Sequence, residues 1–134
     1  WEGGLQHLLP HLDYFILNRL EATKITRQPD SCHNPEQHWA AFFGEKCRDT
    51  WAIVTLGPDG ALAMKQGKIF ARQKAVKVER VVDPTGAGDA FAAGFLYGLH
   101  CISPRLSIQS ALLWGCSVAS SCVMTRGASV PSKK

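Results

Sequence analysis

Apolar runs and amphipathic stretches alternate along the chain, as they do in proteins that layer helices on a sheet. Four leucines between positions 5 and 12 have helical spacing and predict a helix over residues 3–12, closed by Pro10 and Asp13. The continuous apolar run Tyr14–Leu17 is typical of a buried parallel strand, and the β-branched run Trp51–Leu56 predicts a second strand.

Polar residues between these runs mark where helices begin. Asn18 is a suitable cap for a helix over residues 19–25, and Glu21 at the third helical position completes the pattern of a capping box. Residues 26–34 are polar and predict a loop. Pro35 at a first helical position then opens a helix through about Phe43.

The rest of the chain predicts a turn, three more strands and two helices. They are a turn over Gly57–Gly60, a hairpin of strands 61–65 and 69–72 around Gln66 and Gly67, a strand over Val76–Val82, and helices over Gly88–Leu99 and from Leu106 to about Thr125. The alternation predicts a single α/β domain over residues 1–134, with a largely parallel sheet flanked by helices.

Composition narrows the class of protein. Hydrophobic residues make up 46% of the 134 residues, as in a folded globular protein. No apolar run approaches the roughly 20 residues that a membrane helix needs. The net charge of +4 comes from scattered basic residues rather than from a cluster. We therefore expect no nucleic-acid partner and no membrane partner.

The five cysteines indicate a reducing compartment. Their number is odd and no two have C-x-x-C spacing, which favours reduced thiols over a disulfide framework or a structural zinc site. We expect a cytoplasmic protein. The chain begins at Trp1 without a methionine or a signal-peptide pattern, and its first residues read like the middle of a domain. The sequence is therefore expected to be a fragment.

The stretch Asp83–Phe95, DPTGAGDAFAAGF, carries the strongest chemical pattern. Gly86 and Gly88 let the backbone turn and expose its amides, and the helix that follows adds the positive end of its dipole, which suits an anion. Asp89 would repel a resting phosphate, but beside a phosphate in transfer it can orient an acceptor hydroxyl and take its proton. On local grounds an ordinary helix cap after a glycine turn explains the pattern equally well.

Two strand ends are further candidates. Thr55–Gly60 leads from a strand into a glycine turn, and ligands of open α/β sheets bind beyond the carboxyl ends of strands. An ordinary Pro-Asp-Gly turn is the alternative. Asn18 and Glu21 follow another strand and are able to hold a hydrated Mg²⁺ through waters, with a plain capping box as the alternative.

In this order the three motifs resemble the C-terminal half of the ribokinase-type carbohydrate kinase family, which includes ribokinase, fructokinases, adenosine kinase and 2-keto-3-deoxygluconate kinases. The family signature D-x-T-G-A-G-D is matched by Asp83–Asp89, the N-x-x-E motif by Asn18 and Glu21, and the T-x-G-x-x-G nucleotide turn by Thr55–Gly60. The resemblance covers essentially the whole chain and implies a ribokinase-like α/β fold.

The resemblance also implies ATP-dependent phosphorylation of a hydroxyl group on a sugar or nucleoside. By family position Asp89 is the catalytic base, the turn of Gly86, Ala87 and Gly88 is the anion hole, and Asn18 and Glu21 organise Mg²⁺ and phosphate. The residues implied to line the nucleotide are Asn18, Thr55, Leu56, Gly57, Pro58, Asp59, Gly60, Gly88 and Cys116, and the last of these stands where many relatives have Asn or His against the adenine.

Many members of the family carry a monovalent cation, usually K⁺, beside the anion hole. The positions that match its ligands are Asp83, Thr85, Cys122, Thr125, Gly127 and Ser129. The identity of the acceptor stays open among ribose, fructose, a keto-acid sugar, a nucleoside and a phosphosugar. A homodimer of the full-length protein, formed through the lid that relatives carry in their N-terminal half, is one expected assembly.

Two other functions stay open at the level of the sequence. One is a nucleotide-binding or regulatory module without catalysis, because relatives build most of their sugar site from the N-terminal half. The other is a dinucleotide-dependent oxidoreductase. Phe91 and Asp89 weigh against the latter, since the dinucleotide fingerprint needs a glycine or alanine where Phe91 stands.

Overall fold

The computed structural model describes residues 4–102 and 107–127. The helices are α1 Leu5–Leu8, α2 Arg19–Ile25, α3 Pro35–Lys46, α4 Ala87–Tyr97 and α5 Ile108–Val123, with 3₁₀ turns at Leu9–His11 and Gly57–Asp59 and a π-helical turn at Gly98–Ile102. The strands are β1 Tyr14–Asn18, β2 Trp51–Thr55, β3 Ala61–Lys65 and β4 Lys68–Gln73. None of the described helices has both the length and the apolar character that crossing a bilayer requires.

The four strands form one sheet in the order β1-β2-β3-β4. β1 and β2 run parallel, and their last residues, Asn18 and Thr55, are register partners. β3 and β4 are joined by Gln66 and Gly67, whose φ values of 54° and 76° suit the tight turn of an antiparallel hairpin. The sheet is therefore mixed, and the predicted α/β class is confirmed.

The chain divides into two compact units. The first extends to Leu56 and includes Leu62–Ala71. Its core contains Leu9, Leu17, Ala22, Trp39, Ala40, Phe43, Cys47, Ala52, Val54, Leu56, Leu62 and Met64. The Thr50 hydroxyl lies 2.7 Å from the carbonyl oxygens of both Leu9 and Leu12, which fixes the end of the 3₁₀ turn next to the start of β2.

The second unit comprises Gly57–Ala61 and the chain from Arg72 onward, and its helices α4 and α5 pack backbone to backbone. A methyl group built on Gly94 of α4 would lie 2.7 Å from the Trp114 carbonyl oxygen of α5. One built on Gly115 would lie 2.6 Å from the ring of Phe91. Both glycines therefore let the two helices approach closely.

We expect Gly94→Ala to lower the free energy of unfolding by about 1–3 kcal/mol. The new methyl group meets a backbone oxygen of α5, so the clash is relieved only if the two helices separate. Gly88→Ala is the matched control, because Gly88 also lies in α4 but a methyl group there meets nothing within 4 Å. The control should gain about 0.5–1 kcal/mol from helix propensity. Urea unfolding followed by circular dichroism measures both, and equal midpoints would contradict the prediction.

The predicted helix over residues 3–12 is shorter and changes type in the structure. α1 covers Leu5–Leu8 and continues as a 3₁₀ turn over Leu9–His11, because Pro10 has no N–H for an α-helical bond. Two predicted starts, residue 3 for this helix and Leu106 for α5, lie outside the described residues. α3 continues to Lys46, beyond the predicted end at Phe43.

The predicted strand over Val76–Val82 is wrong. No strand is assigned there, and Val76, Val81 and Val82 are 39%, 59% and 44% exposed. Their backbone groups bond to α5 instead, since Ser120 Oγ donates to the Val76 carbonyl and Val82 N donates to the Val123 carbonyl. The alternation of apolar residues predicts which face a strand would bury, but it carries no information on whether a neighbouring strand is present to pair with it.

Candidate functional site

The turn before α4 leaves backbone amides at the start of a helix, an arrangement that suits an anion. Gly86 caps the helix with a left-handed φ of 79°, which glycine adopts without the steric cost of a side chain. Ala87 N donates to the Pro84 carbonyl within the turn. The first α-helical hydrogen bond runs from Ala90 N to the Gly86 carbonyl oxygen, at 2.9 Å. The first amides of a helix have no carbonyl one turn earlier, so those of Gly88 and Asp89 point with the dipole toward an incoming negative charge.

Asp89 is the third residue of α4 and its side chain is exposed. Within residues 4–102 and 107–127 it makes no hydrogen bond or ion pair, so nothing described in the fold uses its carboxylate. Because Asp89 lies in the first turn, the helix dipole stabilises its negative charge modestly. Among the described residues, the carboxylate of Asp89 therefore has no partner and lies at the same helix end as the exposed amides.

Asp83 ties the turn before α4 to the segment after α5. Its Oδ1 accepts a hydrogen bond from Thr85 N at 2.9 Å, and its Oδ2 accepts one from Gly127 N at 3.1 Å. The bonds from the Thr85 side chain and amide, with that from Gly127, hold the pKa of Asp83 below its ordinary value of 3.8. Asp83 is thus a carboxylate at neutral pH.

Oxygen atoms of the residues predicted to bind K⁺ gather around this link. Cys122 Sγ lies 3.6 Å from the Thr85 carbonyl oxygen, and the Cys122 carbonyl accepts from Thr125 Oγ1 at 2.9 Å. Each carbonyl has a second lone pair, so this oxygen set is compatible with a hard monovalent cation. The described residues contain no group of three or more His, Cys, Asp or Glu that would hold a metal, and Ser129 lies outside them.

The glycine turn after β2 depends on two left-handed residues. Gly57 has φ 60° and Gly60 has φ 100°, and Gly60 N donates to the Gly57 carbonyl at 3.1 Å. A methyl group on Gly57 would meet nothing within 4 Å, whereas one on Gly60 would overlap the Gln73 carbonyl oxygen. Gly57, Pro58 and Asp59 are exposed and accessible to a ligand, while Gly60 is buried.

Asn18 and Glu21 form the predicted capping box at the start of α2. Asn18 Oδ1 accepts from Glu21 N at 2.9 Å, and Glu21 Oε2 accepts from Asn18 N at 2.8 Å. Because β1 and β2 are parallel, Asn18 lies opposite Thr55 at the carboxyl end of the strand pair. Leu56, which follows, is only 5% exposed, and its contact with a nucleotide stays a prediction.

Cys116 lies within α5 and is also only 5% exposed. Burial raises the pKa of its thiol to about 11, so the side chain is a neutral thiol at physiological pH. Little of this side chain is left for a ligand, and its contact with adenine stays a prediction.

Gln109 braces the second unit in a way that the sequence does not predict. Its Nε2 donates to the Arg72 carbonyl at 3.0 Å and to Gln73 Oε1 at 2.9 Å. Gln73 is the residue whose carbonyl lies against Gly60, so Gln109 supports the backbone under the glycine turn. No local pattern signals this contact, because the partners are 36 and 37 residues apart in sequence.

Known proteins are similar to nearly the whole chain. Fructoselysine 6-kinase of Shigella flexneri is 40% identical over 129 residues, which are 96% of this chain and 43% of that protein. Adenosine kinase of Schizosaccharomyces pombe is 28% identical over 136 residues, which are 97% of this chain and 39% of that protein. The chain therefore spans about two fifths of the length of these curated relatives.

Solved structures are also similar to most of this chain. A probable sugar kinase from Rhizobium etli superposes with a TM-score of 0.80 at 27% identity, covering 97% of this chain and 37% of that one. Arabidopsis thaliana ribokinase, solved with ribose and ATP, superposes with a TM-score of 0.78 at 28% identity, covering 92% and 38%. The model of the pfkB family carbohydrate kinases matches residues 1–134. With its ribokinase-like fold, the chain belongs to the pfkB family of carbohydrate kinases.

Proposed function

We propose that this chain is the nucleotide-binding part of a kinase that transfers the γ-phosphoryl group of ATP to a hydroxyl group of a sugar or nucleoside. The observation that carries the proposal is the first turn of α4, where the exposed carboxylate of Asp89 lies beside the left-handed Gly86 and the free amides of the helix. An anion site that also presents a free carboxylate suits a phosphate in transfer better than one at rest.

Asp89 acts as the catalytic base in this proposal. It accepts a hydrogen bond from the acceptor hydroxyl and orients the hydroxyl oxygen toward the γ-phosphorus. It takes the proton as the new O–P bond forms and the bond from the γ-phosphorus to the β,γ-bridging oxygen breaks, which releases ADP. The base does not need a high pKa, because the proton moves late in a loose transition state. The turn of Gly86, Ala87 and Gly88 is the anion hole in this proposal. Ala87 N is bonded to the Pro84 carbonyl within the turn, so the amides of Gly86 and Gly88 are the donors that stabilise the charge on the equatorial oxygens of the moving group.

The remaining roles follow from the motifs. The exposed turn Gly57–Asp59 lines the nucleotide, with Gly60 holding the turn in place from below. Glu21 and Asn18 hold Mg²⁺ through water ligands, and the ion when bound would neutralise phosphate charge. The oxygens around Asp83 hold a monovalent cation next to the turn that carries the anion hole.

The capping box does not conflict with the magnesium role. Asn18 and Glu21 hold each other through single oxygens, Oδ1 and Oε2, so Glu21 Oε1 can accept from a metal-bound water. The cap fixes the rotamers of both side chains before any ligand arrives, and such preorganisation reduces the entropy lost on binding.

The class of acceptor is proposed from the relatives, which include an adenosine kinase, a ribokinase and a fructoselysine 6-kinase. The test is an ADP-release assay on the natural full-length protein with ATP and a panel of ribose, adenosine, fructose, 2-dehydro-3-deoxygluconate and fructoselysine. ADP release that requires one of these acceptors supports the proposal. ATP binding by calorimetry, with no transfer to any acceptor, would favour a regulatory nucleotide-binding module instead.

A further inference from the structure

We propose that a cleft in the first unit, lined by none of the predicted nucleotide positions, binds a small organic anion with an apolar body. The cleft has a volume of about 530 Å³ and lies where α1, α2 and α3 meet. That volume is within the range of roughly 300–1,000 Å³ typical of small-molecule sites. None of its lining residues has a role in the phosphoryl transfer proposed above.

The floor of the cleft is apolar. It includes Leu5, Ile25 and Phe42, which pack against the core of the unit but remain only partly buried. When a ligand with an aromatic ring or a short alkyl chain covers this accessible apolar surface, water is released and binding is favoured. The floor thus selects the body of the ligand.

The rim is basic. Lys24, Arg27 and Lys46 line the cleft together, from the end of α2, the turn after it and the end of α3. Lys46 also pairs with its neighbour Glu45 at 3.0 Å, but both side chains are solvated and such pairs are weak. Arg27 carries five N–H donors, so other interactions of this side chain do not exhaust its capacity. A carboxylate or phosphate is the complementary head group.

The use of arginine at position 27 is consistent with a role at the rim. Arg27 has φ 50° at the position after the C-cap of α2, where helices usually place Gly or Asn. An arginine in this conformation costs stability relative to glycine. The left-handed backbone itself belongs to the end of α2, where Gln28 N donates to the Thr23 carbonyl at 3.0 Å, just as that of Gln66 belongs to its hairpin turn. What the cleft would explain is the use of arginine rather than glycine at this position.

The test is a nitrogen-15 NMR titration of the chain with phenyl phosphate, compared with benzoate, inorganic phosphate and phenol. We expect saturable shifts at the amides of Leu5, Ile25 and Phe42. Inorganic phosphate and phenol, which each lack one half of the ligand, should bind at least tenfold more weakly than phenyl phosphate or benzoate. The tighter of those two probes identifies the head group as phosphate or carboxylate.

Two variants separate the cleft from general charge effects. Arg27→Gly should weaken binding at least tenfold without lowering the melting temperature, because glycine suits the left-handed backbone. Lys68→Gln removes the same charge from an exposed position of β4 outside the cleft and should leave affinity within twofold. Equal affinity of Arg27→Gly and the unchanged chain, or shifts confined to residues 86–89, would overturn the proposal.

Discussion

Asp89→Asn should lower the turnover number of the natural full-length protein by about 10²- to 10⁴-fold and leave its affinity for ATP within about twofold. Asparagine keeps the size of the side chain and can still contact the acceptor hydroxyl, but its amide cannot take the proton. In the proposed function other groups hold the nucleotide, namely the exposed turn Gly57–Asp59 and the first amides of α4. Steady-state kinetics with saturating acceptor and calorimetric titration with ATP measure the two effects separately.

We expect Asp89→Asn to have little effect on the free energy of unfolding. Asp89 is exposed, and its loss of charge removes only a helix-dipole interaction of about 0.3–1 kcal/mol. Asp49→Asn provides the matched control, since Asp49 is an exposed acid in the turn before β2 with no part in the proposed chemistry. A near-normal rate in Asp89→Asn would rule out the base, and a slow rate in Asp49→Asn as well would indicate a nonspecific charge effect.

Gly60→Ala should be the most destabilising single methyl addition in the glycine turn, with a loss of about 3 kcal/mol or more. Its φ of 100° is unfavourable for alanine, and the new methyl group would overlap the Gln73 carbonyl oxygen. That carbonyl belongs to backbone that Gln109 braces through the Gln73 side chain, so it cannot move aside easily. Thermal and urea unfolding of the chain measure the loss.

Gly57→Ala separates the cost of the left-handed backbone from the cost of the overlap with Gln73. Gly57 also has a left-handed backbone, with φ 60°, but a methyl group there meets nothing within 4 Å. This variant should lose only about 1 kcal/mol, the cost of the backbone conformation alone. If both variants lose the same amount, the contact between Gly60 and Gln73 is not what holds the turn.

Elements that depend on local chemistry were predictable from the sequence. The strand β1, the capping box of Asn18 and Glu21, and the hairpin around Gln66 and Gly67 are each determined by residues a few positions apart. The first turn of α4 was equally predictable, because glycines and the start of a helix have local sequence signals. The order of the three motifs then indicated the family, which the comparisons confirm.

What the sequence could not supply are contacts between distant segments. The valines before Asp83 alternate like a strand, yet their backbone bonds to α5 because no described strand pairs with them. The fit of Gly94 against Trp114 depends on the separation of two helix axes, and the left-handed backbone at Arg27 depends on how α2 ends. None of these quantities has a local pattern that reveals it.

The capping box affects how inactive paralogues of this protein can be recognised from their sequences. Asn18 and Glu21 stabilise α2 through two hydrogen bonds whether or not phosphoryl transfer occurs. Selection for folding alone would thus retain this pair in a descendant that had become a pseudoenzyme. Asp89 forms no such bond in the described parts of the fold, so relaxed selection would let it drift first. A genome survey for inactive paralogues should therefore score this aspartate rather than the asparagine–glutamate pair.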